Sequence, residues 1–75
     1  MNKIRRKQLD QAKKLINEAV DIINDVLIEE DDAFNNLSEG LQQTMRGETM
    51  ENNVSEMQDA IENINEALES LDNVE

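Results

Sequence analysis

Seven apolar residues in the second half of the chain, Met50, Val54, Met57, Ile61, Ile64, Leu68 and Leu71, recur at alternating steps of four and three. On a helix this spacing draws a single line of side chains along one face, the pattern of a rod built to lie against another rod. The residues between them are mostly Glu, Asp, Asn and Gln, so the remaining faces suit water. A partner helix is implied, and the first half of the chain supplies one.

There a second seam runs through Leu9, Ala12, Ile16, Ala19, Ile23 and Val26. Leu15 and Ile22 widen it on one side, and Val20, Leu27 and Phe34 on the other. A two-stranded contact needs only a narrow a/d seam, whereas a helix inside a bundle carries apolar residues on a broader stripe. Between the halves, Asn35 and Asn36 can stop one helix, Asn36 or Ser38 can cap the next, and Glu39 suits its first turn. These signals predict an all-α fold in one domain spanning residues 1–75. It is an antiparallel hairpin with helix one over about residues 3–32, a turn at 33–38 and helix two over about 38–72. Gly40 and Gly47 fall on the backward extension of the seam, where a missing side chain lets a backbone or a ring come close. Glycine also weakens a helix by about 1 kcal/mol relative to alanine, so a break at Arg46-Gly47-Glu48, with Thr49 capping a last helix, is an open alternative. Ile16, Ile23 and Leu27 are expected to meet Val54, Met57, Ile61, Ile64, Leu68 and Leu71 along the seam. The wide face of the first helix suggests two hairpins stacked into a four-helix homodimer.

A chain of 75 residues lies near the size at which one core supplies no more than about 3 to 5 kcal/mol. Cysteine and histidine are both absent, which removes disulfide staples and the usual zinc, haem and iron–sulfur ligands. Association with another copy is the remaining source of stability. No apolar run approaches the roughly 18 residues that span a bilayer, and Gln8, Asp10, Gln11, Lys13 and Lys14 interrupt any signal-peptide core. The expectation is a soluble, cytoplasmic protein without membrane contact.

Eighteen acidic residues face seven basic ones, for a formal net charge of −11. Six of the basic residues lie in residues 1–14 beside Asp10, and Arg46 alone accompanies the other seventeen acids. A field of this sign repels nucleic acid and anionic membranes from most of the surface and attracts basic partners. The basic start is expected to pair inside the hairpin with Glu66, Glu69 and Asp72 of the tail. It lacks the interleaved aromatic side chains of a nucleic-acid site.

Catalysis requires a nucleophile, a titrating base or a metal. Ser38, Ser55 and Ser70 have no histidine to activate them, and a small hairpin offers little interior in which to tune a carboxylate. The run Glu29-Glu30-Asp31-Asp32 departs from a calcium loop, which needs alternating oxygen ligands and a glycine at its sixth position; Ala33 and Phe34 fall where ligands belong. Neither a metal nor a cofactor is expected, and a ligand in a dimer interface has only Arg46, near the glycines, in its favour. Four acids at a helix end oppose its dipole at about 0.3 to 1 kcal/mol each. A basic protein partner would compensate them, with Phe34 and Leu37 as apolar anchors beside the acids. The tip cluster of Phe34, Leu37 and Leu41 equally suits closure of the hairpin. Two acid ladders, Glu18-Asp21-Asp25-Glu29-Asp32 and Asp59-Glu62-Glu66-Glu69, form continuous negative stripes. One acid per roughly 3 Å of rod is comparable with one phosphate per about 1.7 Å of duplex, so mimicry of a nucleic-acid backbone is open.

Glu29-Glu30, the stretch Ala33-Phe34-Asn35-Asn36-Leu37-Ser38-Glu39-Gly40-Leu41-Gln42, the triplet Arg46-Gly47-Glu48 and the acidic heptad tail together resemble a group of small acidic helical proteins. Phages, prophages and mobile elements of Gram-positive bacteria encode this group. Its members often carry proline where this chain has Ser38, in keeping with a helix start at that point. No settled activity attaches to the group; the resemblance implies a genomic setting in which short acidic proteins frequently inhibit host enzymes that handle nucleic acid. The functional expectation is a non-enzymatic acidic module that binds a basic protein. The alternative is an assembly module whose role is its own coiled-coil pairing.

Overall fold

A computed structural model describes all residues 1–75. It contains three helices in the order α1 (Lys3–Asn35), α2 (Glu39–Gln42) and α3 (Met45–Asp72), with no strand. Helices α1 and α3 pack along each other as an antiparallel hairpin, and α2 is a single turn laid across the start of α3. The molecule is a rod of 58 × 15 × 12 Å with a radius of gyration of 17.3 Å. A compact domain of this length would have a radius near 11 Å.

Each helix begins on a side-chain cap. Asn2 accepts from the Arg5 backbone N–H at 2.8 Å, and the Ser38 hydroxyl accepts from that of Leu41 at 3.4 Å. Thr44 accepts from that of Gly47 at 3.5 Å. These oxygens satisfy amide donors that the first turn of a helix leaves unpaired. Helix α1 runs three residues beyond the expected end and stops at Asn36, whose N–H still reaches the Asp32 carbonyl at 3.0 Å.

The second helix is interrupted at Gln43 and Thr44, ahead of the Arg46-Gly47-Glu48 triplet. Thr44 is the cap, while Thr49 lies inside α3 and donates its hydroxyl to the Met45 carbonyl at 2.9 Å. The two glycines part company here. A β-carbon on Gly40 would meet nothing within 4 Å, whereas on Gly47 it would lie 2.6 Å from the Gln42 carbonyl carbon and 2.7 Å from its Cα. Gly47 is the one fully buried residue of the chain because the α2 backbone rests directly on it.

The α3 face of the hairpin is the expected one: Val54, Met57, Ile61, Ile64, Leu68 and Leu71 are all half-buried. The α1 face is rotated from the expected one. The half-buried residues there follow Leu9, Lys13, Ile16, Val20, Ile23, Leu27, Glu30 and Phe34 at steps of four and three and continue to Leu37 in the turn; Ala12 of the expected row is half-buried too, as is Ala33, while Ala19 and Val26 stand exposed. Two overlapping rows share Ile16 and Ile23. The one carrying Val20, Leu27 and Phe34 brings more apolar volume against α3 than the one carrying Ala12, Ala19 and Val26, and burial scales with apolar area. Its cost is the inclusion of two ionisable groups. Lys13 turns its ammonium out to Asp72 at 3.1 Å, and Glu30 accepts from the Asn53 side-chain amide at 2.9 Å.

Candidate protein-interaction surface

With Lys13, Val20, Leu27 and Phe34 at heptad position a of α1, and Leu9, Ile16, Ile23 and Glu30 at d, the flanks of the rod follow from the register. Lys13 facing Asp72 and Glu30 facing Asn53 set that register. In an antiparallel pair the e positions share one flank and the g positions the other. The e flank is polar, with Asp10, Asn17, Asn24 and Asp31 on α1 and Glu51, Gln58, Asn65 and Asp72 on α3. The g flank is apolar and small along its middle, with Ala12, Ala19, Val26 and Ala33 beside Ala60 and Ala67, and is polar at its ends, with Arg5 at one and Arg46 and Asn53 at the other. Position c of α1 extends it with two large side chains, Leu15 at 57% and Ile22 at 64% exposure. The hairpin therefore has one dry flank and one wet flank. Periodicity offered this signal in the widening residues Leu15 and Ile22, but the row to which they belonged depended on where α3 sat.

Both acid ladders occupy outward positions, chiefly b and f, on the sides of the two helices that face away from each other. Seventeen of the eighteen carboxylate side chains are exposed, and Glu30 alone is partly covered. No group of them is arranged to hold a metal ion.

At the turn end, Glu29, Asp31 and Asp32 are exposed on the last turns of α1, and Glu30 is turned toward α3. Asp31 accepts from the Asn35 side chain at 3.5 Å, and no cation approaches any of the four within ion-pair distance. The last turn of α1 has no basic residue either, so the unfavourable dipole contact stands uncompensated within the chain. Phe34 and Leu37 are half-buried, and the structure uses both in closing the hairpin. The Gln42 side chain donates to the Phe34 and Leu37 carbonyls at 3.2 Å each, adding a second bond to the Phe34 carbonyl, which also accepts from the Leu37 N–H at 3.0 Å. The apolar side chains left exposed at this end are Leu41 at 53% and Met45 at 83%. Gln42 carried no recognisable signal in the sequence, since its role depends on α2 folding back over the helix end.

At the open end, the expected pairing of the basic start with the acidic tail is confined to Lys13, which meets Asp72 and, at 3.9 Å, Asp10. Lys3, Arg5, Arg6 and Lys7 make no ion pair. The register explains this, because α3 ends opposite Lys13 and leaves the first two turns of α1 beyond its last turn. The Met1 amino group donates to the Glu75 carbonyl at 3.3 Å, which is the link between the two ends of the chain.

No protein-family model, curated protein or solved structure matches this chain. Charge is sorted along α1, basic at the open end and acidic at the turn end, and apolarity is sorted across the rod, dry on one flank and wet on the other. No helix is long and apolar enough to cross a membrane.

Proposed function

We propose that this protein acts by contact, as a non-enzymatic acidic module that presents its carboxylate ladders to a basic protein in the cytoplasm. The observation that carries this reading is the exposure of seventeen of eighteen carboxylates, concentrated on outward-facing positions and, apart from Asp10 and Asp72 beside Lys13, without an ion pair in the chain. Exposed charge of one sign speeds encounter with an oppositely charged surface and selects against acidic competitors. Eighteen carboxylates along 58 Å amount to one per about 3.2 Å, and two rods side by side approach the ~1.7 Å spacing of duplex phosphates. Together with the phage-type resemblance of the turn segment, that density favours a host enzyme that handles nucleic acid as the partner and inhibition as the outcome. Glu29, Glu30, Asp31 and Asp32 are the residues assigned to the partner, with Phe34 and Leu37 supporting the tip from within.

The test is affinity capture from a bacterial lysate with the native chain and with a variant carrying Glu29→Gln, Glu30→Gln, Asp31→Asn and Asp32→Asn. Recovery of a basic protein that falls at high salt, and falls again with the variant, is the expected result. Equal recovery by both proteins at both salt concentrations would remove the acidic reading.

A second reading, assembly through the helical seam itself, is favoured by one specific observation. Leu15, Ile22 and Val26 share one flank at 57%, 64% and 49% exposure, a contiguous apolar strip of the sort that soluble monomers seldom leave uncovered.

A further inference from the structure

The flank of α1 bearing Leu15, Ala19, Ile22 and Val26 is bounded along the same helix by charges of opposite sign. We propose that a second copy of the chain covers this flank with its own, the two α1 helices running antiparallel about a two-fold axis near Ala19. This pairing gives the assembly reading its geometry and rests on that reading; it does not depend on any basic partner.

Surface area supports it first. The chain exposes 5932 Å², whereas a compact monomer of 8.6 kDa exposes about 4,700 Å². The excess of about 1,200 Å² is area that the rod shape leaves along its sides, and a second copy laid along one flank covers part of it. No apolar side chain of the single hairpin is fully buried, so the seam alone does not complete a core. Ala12 and Ala19 on the flank let two helix backbones come close, with Leu15 and Ile22 packing to either side.

Charge then selects the orientation. On this flank Arg5, at g, lies 14 residues before Ala19 and Glu29, at c, lies 10 residues after it. The charge pattern of α1 is thus opposite in sign on the two sides of the proposed axis. Antiparallel pairing sets Arg5 of each chain toward Glu29 of the other at both ends of the interface. Arg5 at g and Glu29 at c share the apolar flank and come within about one helical turn of each other across it. Parallel pairing would stack base on base and acid on acid. Both side chains are free for such a role, since neither makes an ion pair within its own chain.

Sedimentation equilibrium at micromolar concentration, with circular dichroism as the check on folding, tests this directly. The native chain is expected at twice 8.6 kDa. A Leu15→Gln/Ile22→Gln variant should retain its helicity, because both side chains are exposed in the hairpin, and run as a monomer. Two charge variants test the orientation: Arg5→Glu in one, and Glu29→Lys in the other. Each should self-associate roughly tenfold or more weakly than the native chain, and an equimolar mixture should regain native affinity, since only the mixed pair places opposite charges together at both ends. A monomeric native chain would overturn the assembly reading and this pairing together. A dimer indifferent to Leu15→Gln/Ile22→Gln, or charge variants that fail to recombine, would overturn this pairing while leaving assembly through another face standing.

Discussion

Replacing Gly47 and Gly40 separately by alanine isolates the contact that shapes the turn end. Neither glycine has a positive φ, so alanine can adopt both backbone conformations and brings the same propensity gain to each helix, up to about 1 kcal/mol. The surroundings differ. At Gly40 the new methyl group meets nothing within 4 Å, and the expected outcome is stabilisation by about 0.5 to 1 kcal/mol. At Gly47 the methyl group would sit 2.6 and 2.7 Å from Gln42 backbone carbons, so α2 has to move by roughly 1 Å to restore ordinary contact, with an overpacking cost of about 1 to 3 kcal/mol. The same shift pulls the Gln42 side chain from the Phe34 and Leu37 carbonyls, a further loss of about 1 kcal/mol. Set against the propensity gain, Gly47→Ala should destabilise by about 1 to 3 kcal/mol net. For 75 residues the unfolding entropy is about 160 cal/mol/K, so each kcal/mol moves Tm by about 6 °C. Thermal melts followed by circular dichroism, at one fixed protein concentration, should show Gly40→Ala about 3 to 6 °C above the native chain and Gly47→Ala about 6 to 18 °C below it. A Gly47→Ala protein at or above the native Tm would refute the reasoning, because α2 would then not be docked on α3.

Gln42→Ala removes two partly buried hydrogen bonds and should cost about 1 to 3 kcal/mol; an unchanged urea midpoint would count against its role in closing α1. Lys13→Leu tests the charged seam position. The exposed pairing with Asp72 is worth under about 1 kcal/mol, and an apolar side chain there gains more than that by burial, so Tm should rise; a fall would show the lysine to be a net stabiliser. Ile61→Asp/Ile64→Asp places two carboxylates in the seam opposite α1 and should abolish the helical circular dichroism signal at room temperature, several kcal/mol being lost. Retained helicity would argue that α3 does not depend on α1. Asn2→Ala should lower stability by about 1 kcal/mol through loss of the first cap, measured as an earlier urea midpoint.

Several features are set by residues near one another in the chain, and these are legible in the sequence alone. The α3 stripe has only one possible row of large apolar residues, so periodicity alone orients that helix. Ser38 and Glu39 announce the start of α2 because capping is a matter of three or four adjacent residues. The hairpin follows from two amphipathic helices joined by a short turn, which pack most readily as antiparallel neighbours. Phe34 and Leu37 were recognisable as a tip cluster for the same local reason.

Tertiary packing decided the rest. Helix α1 offers two rows that share Ile16 and Ile23, and only the placement of α3 selects the row through Val20, Leu27 and Phe34, leaving Leu15, Ile22 and Val26 outside. The break at Gln43 and Thr44 depends on a backbone resting on Gly47 from five residues earlier, a proximity no propensity encodes. The unpaired basic start follows from a register in which α3 ends opposite Lys13. Helix formation, capping and periodicity are short-range and so are written in the sequence; which faces meet, and which are left for another molecule, depends on the total apolar area and charge brought together across the fold.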